Sequence, residues 1–478
     1  MAARGEKLII GQRLKILRTT LGLTQAQMAE QLGVSASYIT LIESDQRPAS
    51  AKLLMRLAQV YDLNVAELAP DTDAQLAADF EAALKDPVLE AEGVSRAEVE
   101  AVLQASPKIA ASLVRLQSRL GDALMRRQAD ESSLPDHGKA EALTQIAKPV
   151  EQVRDWFYEN RNYIDALDQV AEGIADENKL HRDGSGIALH GLLAAHSIRI
   201  RRLPASVMGG SLRRYDPHRK ELLLSELLDV ASRRFQMAVL IARLNYQDLI
   251  DEIMSEAAFD GDAARSLARV SLANYFAAAL LMPYQPFLAA CESERYDIEL
   301  ISHRFGTSFE QTAHRMTTLQ RQEARGIPFF FVRVDRAGNV SKRFSAGRFP
   351  FSRFGGTCPL WNIHSAFETP ERIQTQLIRM PEGARYFSIA RTVTRVGGSF
   401  AAPAPRLAIG LGCDVAFAPR LIYADSIDHE RTEPTEIGLN CYLCERQNCA
   451  SRAHAPINRN LAVNELERSI ALFSFEIE

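Results

Sequence analysis

One glycine constrains this chain more than any other residue. Gly33 separates two short stretches of helical apolar spacing. On one side, Met28 and Leu32 share a face, and on the other, Ile39 and Ile42 share a face. Thr24 precedes the first stretch with Gln27 three residues on, the pattern of a capping box. Ser35 precedes the second and is positioned to cap it. Two capped helices joined across a glycine must turn sharply and pack on each other. The flanks extend the pattern to five short helices over residues 8–68. Leu14, Leu17 and Leu21 line the first and Gly22 ends it. Arg47-Pro48 opens a turn, Leu53, Leu54 and Leu57 line the fourth, and Val65 and Leu68 close the unit.

Helix, glycine turn and helix inside a compact helical unit is the helix-turn-helix arrangement. Its second helix reads base edges through short polar side chains near its N-terminus. Ser35, Ser37, Tyr38 and Thr40 occupy those positions. Gln25, at the start of the preceding helix, is placed to contact a phosphate beside free backbone N–H groups. Arg47 joins this set, and Arg13, Arg18 and Lys52 add local positive charge. That charge has to be local, because the 478-residue chain carries a formal charge of −4. The alternative is a helical interaction module that does not touch DNA.

The stretch LTQAQMAEQLGVSASYITLIESDQRPAS resembles the Cro/C1-like (XRE) repressor helix-turn-helix, and the resemblance covers residues 7–69. It implies operator DNA as a partner. It also implies that Glu43 is a structural acid paired with an arginine of the first helix, here Arg18.

Hydrophobic residues make up 46% of the chain and charged residues 24%, enough for several packed cores. No apolar run long enough to span a bilayer and no secretory leader is evident, so a cytoplasmic protein with no membrane partner is expected. After a polar loop at 131–138, residues 140–180 return to helical spacing. SIRIRRL, SLRRYD and ELLLS, within 197–225, suit strands, and helices follow at 225–282 and 296–323. Residues 328–344 read strand, turn, strand around Ala337-Gly338-Asn339. Further strands are expected at 386–395, 406–411 and 415–422.

Residues 234–243, RFQMAVLIAR, resemble the active-site helix of the ImmA/IrrE metallopeptidases. In that family an HExxH motif puts two zinc-binding His residues on one helix face beside a Glu base. Val239, Leu240 and Arg243 stand at those positions here, so the fold is implied and the enzyme is not. ANYFAAALLMP at 273–283 and SHRFGTSFEQTAHRMTTLQ at 302–320 match the family's later helices. Phe305-Gly306 also looks like a second helix-turn-helix turn, though packing explains it better. Arg199, Arg201, Arg202, Arg213, Arg214 and Arg219 either clamp a phosphate or form a solvated strand face with salt bridges, the second being favoured.

Five of six cysteines lie in the last third. Cys441, Cys444 and Cys449 stand close enough in sequence to surround one centre. The fourth ligand is open among Cys358, Cys413 and His454, while Cys291 reads as a buried or free thiol. Zinc and an iron–sulfur cluster both accept such donors. Phe330, Phe344, Phe351 and Tyr386 are either an acyl pocket or plain core, with core favoured.

IGLNCYLCERQNCASRAHAPI at 437–457 resembles the C-terminal signature of the short-chain fatty acyl transcriptional regulators (RamB-, PrpR- and PccR-type). These join the same three parts in the same order, so the resemblance covers essentially the whole chain. One departure is His454-Ala455-Pro456, where relatives tend to carry an aromatic residue and Pro. The resemblance implies a multidomain fold and no enzyme. An all-α helix-turn-helix domain at 7–69 leads through a helical linker at 70–138 to an α+β degenerate metallopeptidase-like domain at 139–325. An α+β C-terminal sensor domain at 326–478 then carries the Cys-ligated cluster. It also implies a homodimer or homotetramer answering to a short-chain acyl-CoA, propionyl-CoA first, and controlling acetate or propionate genes. A [4Fe–4S] cluster, or Zn2+ in its place, is implied on Cys441, Cys444 and Cys449 with Cys358 the chosen fourth. The rival expectation is a redox or metal sensor with that cluster as its only input.

Overall fold

The structure is a computed structural model. It describes residues 23–43 with scattered positions between 14 and 61, three positions at 80–84, most of 96–116, and 137–475 with short omissions. The chain divides into two compact units, Met1–Asp130 and Glu131–Glu478.

In the first unit, α1 (Gln25–Leu32) and α2 (Ala36–Glu43) form as the sequence directs. Thr24 caps α1 in a complete capping box with Gln27. Gly33 ends it in the left-handed region at φ 61°, where a side chain would be strained and would also meet the Arg56 guanidinium. Leu14, Met28, Leu32, Ile39, Ile42, Leu53 and Leu57 form its apolar core. Leu17, Leu21, Gly22, Pro48, Leu54, Val65 and Leu68 lie outside the described residues. In the same unit, α3 (Arg96–Ala105) puts Val99 and Leu103 into a small separate core with Phe80, Ala110 and Val114.

The second unit begins with α4 (His137–Glu159), α5 (Asp165–Glu177) and α6 (Ser185–Ala195). A three-stranded sheet follows, built from β1 (Arg199–Leu203), β2 (Arg213–Asp216) and β3 (Glu221–Ser225). Its order is β1-β3-β2, with β1 parallel and β2 antiparallel to β3, so β2 is an edge. Against it pack α7 (Val230–Asn245), α8 (Gln247–Ser255) and α9 (Gly261–Leu281). The small side chains of Ala264, Ala268, Ala273 and Ala277, all buried, allow the neighbours of α9 to approach closely.

Next come α10 (Tyr284–Ser293), α11 (Ile298–Phe305) and α12 (Phe309–Met316). The α11–α12 turn repeats the spacing of the α1–α2 turn residue for residue. Gly306 is left-handed at φ 61°, and Ser308 makes a capping box with Gln311. Here, however, the second helix is buried: Thr312, Ala313, Arg315 and Met316 are in the interior. This turn therefore serves packing, as the sequence reading favours.

A six-stranded sheet closes the unit. Its order is β5-β4-β8-β7-β6-β9, antiparallel except for the β6–β9 pair. The strands are β4 (Phe330–Val334), β5 (Val340–Ser345), β6 (Gln374–Arg379), β7 (Arg385–Thr394), β8 (Arg406–Asp414) and β9 (Thr435–Glu436). Strand alternation divides the interior. Phe331, Phe387, Ile389, Ile409, Leu411 and Cys413 face α10–α12, while Phe330, Val332, Tyr386, Ala390 and Ala408 face an aromatic layer with Phe349, Trp361 and Cys358.

The expected strand at 415–422 is corrected. Val415–Arg420 and Ile422–Ser426 are 3-10 turns. Pro419 has no N–H to give to a ladder, and the Asp414 side chain accepts from Ala416 N at 2.9 Å and starts the turn instead. Strand β6 is not anticipated, because its start, Gln-Thr-Gln, carries no apolar alternation. Among the described residues no helix is long and apolar enough to cross a membrane.

Candidate DNA-binding surface and cysteine loop

The α1–α2 pair is locked by one carboxylate. Arg18 donates from Nε to Glu43 Oε1 at 2.6 Å and from Nη2 to Oε2 at 3.1 Å, with the Glu43 side chain only 4% exposed. Arg18 Nη1 also donates to Leu23 O at 2.9 Å, which ties down the entry to α1. Burial pushes the Glu43 carboxyl up, but hydrogen bonds from Arg18 and Gln25 and the Arg18 charge outweigh it and hold the group below the ordinary range.

Gln25 is half-buried, with its Nε2 donating to Glu43 Oε2 at 2.7 Å and its Oε1 accepting from the Thr40 hydroxyl at 3.1 Å. Gln25 thus braces α1 against α2. Thr40 also donates to Ala36 O at 3.0 Å, and Ser35 Oγ accepts from Tyr38 N at 3.2 Å and caps α2. Ser35, Ser37 and Thr40 are exposed, while Tyr38 leans partly onto the core. The N-terminal turn of α2 therefore offers hydroxyls to solvent from a rigid helix. Arg47, Arg13 and Lys52 lie outside the described residues.

In the second unit, α7 carries the degenerate motif. Val239 and Leu240 are each 3% exposed and part of the core, and Arg243 is exposed. No pair of imidazoles and no carboxylate base stands at these positions. The nearby arginines divide. Arg199 and Arg201 both reach Glu221, at 3.0 and 3.4 Å, and Arg219 faces Asp216 at 4.0 Å, so salt bridges account for these three.

The cysteine loop leans on the aromatic face of the large sheet. Asn440 Oδ1 accepts from Leu443 N at 2.9 Å and starts the 3-10 turn Cys441–Leu443. A residue the sequence reading passed over holds the loop. Arg452, 2% exposed, donates from Nη1 to the carbonyls of Cys444 at 3.0 Å and of Cys441 and His454 at 3.4 Å, and from Nη2 to Arg446 O. Its only sequence signal is its place three residues after Cys449. Its Nε is buried without a partner.

Cys358 is buried. Burial pushes its thiol up, backbone N–H groups of Gly438 and Leu360 pull it down, and the thiols of Cys444 and Cys441 lie near enough to push it up further. Ala453 N donates to Cys441 Sγ at 3.4 Å. A side chain at Gly438 would meet Cys444 Sγ at 2.6 Å, so glycine makes room for that thiol. Amide donors aimed at sulfur and the room that Gly438 leaves for the Cys444 thiol fit a thiolate-held metal group. Cys449 is partly exposed further along the loop. Among the described residues no three Cys, His, Asp or Glu side chains already stand as a metal-holding group.

Cys413 is buried on β8 with the apolar residues that face the helices, the opposite side of the sheet from Cys358. His454 stacks on Tyr442 at 4.3 Å. Cys291 is a buried free thiol in α10. Phe330 stacks on Phe349 at 3.9 Å, and Tyr386 packs edge-on to both. The gap left among Phe349, Phe351, Trp361 and Met380 is about 10 Å³, at most one water. Phe330 and Tyr386 are core.

Comparison with known proteins agrees along the chain. A helix-turn-helix domain model matches residues 9–70, an IrrE N-terminal-like domain model matches 193–317, and the model of the short-chain fatty acyl coenzyme A regulator C-terminal domain matches 318–473. The propionyl-CoA carboxylase regulator of Cereibacter sphaeroides is 40% identical over 97% of this chain and 98% of its own. The HTH-type transcriptional regulator PrpR of Mycobacterium tuberculosis is 40% identical over 95% and 93%, and RamB of the same species 37% over 97% and 98%. A solved Mycobacterium tuberculosis transcriptional regulator superposes with TM-score 0.65 at 42% identity, over 68% of this chain and 99% of that one. The chain belongs to the short-chain fatty acyl coenzyme A regulator family and is a DNA-binding transcription regulator of the helix-turn-helix type.

Proposed function

We propose that this regulator binds operator DNA as a homodimer or homotetramer through paired α2 helices, and that a short-chain acyl-CoA, propionyl-CoA first, sets its affinity. The match of the acyl coenzyme A regulator model to residues 318–473 carries this reading. The names of the propionyl-CoA carboxylase regulator and PrpR support the choice of thioester and of propionate or acetate genes as targets. Two-fold pairing doubles the sequence read and suits a pseudo-palindromic operator. The effector acts by binding one of two conformations more tightly than the other.

Cys358, Cys441, Cys444 and Cys449 hold a [4Fe–4S] cluster in this reading, with Zn2+ as the alternative occupant of the same donors. Such a cluster supplies an oxidant-sensitive centre that stays put. Arg452 supplies positive charge beside the thiolates, and the Gly438, Leu360 and Ala453 amides donate to sulfur.

The deciding experiment is an anaerobic titration of the full-length protein on its own promoter with acetyl-, propionyl- and butyryl-CoA. A severalfold shift with one thioester and none with free CoA is expected. Binding unchanged by every thioester, with DNA still bound, overturns the effector reading and leaves redox or metal input through the cysteine loop.

A further inference from the structure

The small sheet has two faces of opposite character. Leu222 and Leu224 of β3 belong to the core of the second unit, and Ile200 of β1 and Tyr215 of β2 pack against the same core. Strand alternation sends their neighbours to the other side. The register sets these out in two rows: Arg199, Glu221 and Asp216, then Arg201, Leu223 and Arg214. With strands about 4.8 Å apart, the backbones of Arg201 and Arg214 stand about 10 Å from each other across Leu223, and Arg199 precedes Arg201 by about 7 Å along β1.

Both carboxylates of this stretch are used inside the sheet. Glu221, 6% exposed, gives Oε1 to Arg199 at 3.0 Å and Oε2 to Arg201 at 3.4 Å. Asp216 Oδ1 accepts from the His218 and Arg219 amides at 3.0 Å, which holds it to the β2–β3 turn. Against these two carboxylates, residues 199–225 carry seven arginines and lysines, in a chain whose formal charge is −4. Arg202, Arg214 and Lys220 are exposed, and among the described residues they have no carboxylate partner. The Arg199, Arg201 and Arg219 side chains are 75%, 54% and 76% exposed even with their acids beside them. The sheet therefore holds its acids in and turns its excess of cations out, on a rigid surface.

A polyanion complements such a surface, and the class of the chain says which. A DNA-binding regulator works beside a duplex with one negative charge per about 1.7 Å of axis, so several phosphates fit along a patch about 10 Å across. We propose that the outer face of the small sheet is a second DNA contact, gripping the phosphate backbone of the duplex without reading its sequence. The contact adds to the reading by α2 and rests on the DNA-binding class of the chain, not on the acyl-CoA effector.

The test is fluorescence anisotropy of the full-length protein on its own promoter fragment and on an unrelated duplex of equal length, between about 50 and 200 mM salt. The variant Arg201→Gln/Arg214→Gln/Lys220→Gln removes three charges and leaves Arg199 on Glu221, so the buried carboxylate keeps a partner. The control Arg265→Gln/Arg336→Gln/Arg431→Gln removes the same charge from exposed positions elsewhere in the second unit. The patch variant is expected to bind both duplexes about tenfold or more weakly at low salt, and its slope of log affinity against log salt to flatten by about 1–3. The control is expected to follow wild type. Wild-type affinity and slope in the patch variant overturn the contact, and so does an equal loss in the control, which marks an effect of bulk charge. Loss on the promoter alone also overturns it, because a backbone grip does not tell sequences apart.

Two further readouts separate the other roles of these residues. Propionyl-CoA binding lost in the patch variant with DNA binding unchanged assigns the cations to a small phosphate ligand and overturns the DNA contact. A lowered Tm with an unchanged slope marks the face as structural and does the same. If no thioester alters DNA binding while the patch variant flattens the slope, the effector reading falls and this contact stands.

Discussion

Arg315 and Asp168, 147 positions apart, meet in the interior as a two-toothed ion pair with both side chains at 0% exposure. Tyr275 completes it, donating to Asp168 and accepting from Ile164 N at 3.0 Å. Arg315 also donates to Met282 O at 3.1 Å and Thr318 Oγ1 at 2.8 Å. Four of the five Arg315 N–H donors and both Asp168 oxygens are satisfied, so α5, α9 and α12 are pinned at one point. Arg315→Met is expected to destabilise the second unit by about 3–5 kcal/mol, because Asp168 is left charged and unpaired. Adding Asp168→Leu should recover much of that loss. Urea unfolding of the single and double variants checks both.

Glu43 predicts an acid-sensitive reading head. Its folded pKa is depressed, so its contribution is full above the ordinary glutamate value and is lost as pH falls through the folded one. Hydrogen exchange of the α1 and α2 amides should accelerate as pH drops through that window. Glu43→Gln should remove this pH dependence and destabilise the helix pair by about 3 kcal/mol.

Two serines should separate reading from folding. Ser35→Ala removes the cap on α2 and is expected to cost about 1 kcal/mol of local stability along with DNA affinity. Ser37 is exposed, and Ser37→Ala is expected to weaken operator binding by about 1 kcal/mol while melting is unchanged. Fluorescence anisotropy beside thermal melts distinguishes them.

His314, packed on Phe344 at 4.5 Å and close to Phe331, is pushed down to about 3, first by burial and then by the Lys342 charge. It stays neutral when folded while its unfolded counterpart takes a proton near pH 6.5. Stability from this residue is thus present above about pH 6.5 and declines towards pH 3. His314→Phe should flatten the slope of unfolding free energy across that range.

Cysteine substitution tests the proposed donor set. Anaerobically purified Cys444→Ser and Cys358→Ser should lose iron and visible absorbance, while Cys413→Ser, on the other face of the sheet, should keep both.

Legibility in the sequence followed locality. The Thr24 box, the Gly33 turn and the hairpin around Gly338 depend on short-range rules and could be read directly, while the Arg18–Glu43 pair came only from what the helix-turn-helix resemblance implies. The 415–422 stretch looked like a strand because its apolar spacing hid the veto of Pro419. β6 went unseen because a polar strand is held by its partners rather than by its own pattern. The α11–α12 turn obeys the same local code as α1–α2, and only the neighbours of α12 decide that it cannot read DNA. Arg452 was illegible for a related reason. An arginine's role depends on which carboxylates lie near it in space, and sequence does not record that.

The loop that carries Cys441 and Cys444 does not hang from the sheet. Arg446 grips Ile437 O at 3.1 Å, Arg379 O at 2.8 Å and Glu436 at 2.6 Å, and Arg379 returns to Glu436 at 3.0 Å. Mechanically this is a short lever bolted to the end of β6 and β9. Arg446 thus fastens the cysteine loop to the ends of two strands through two backbone carbonyls and one carboxylate, so the loop and that corner of the sheet are one hydrogen-bonded piece.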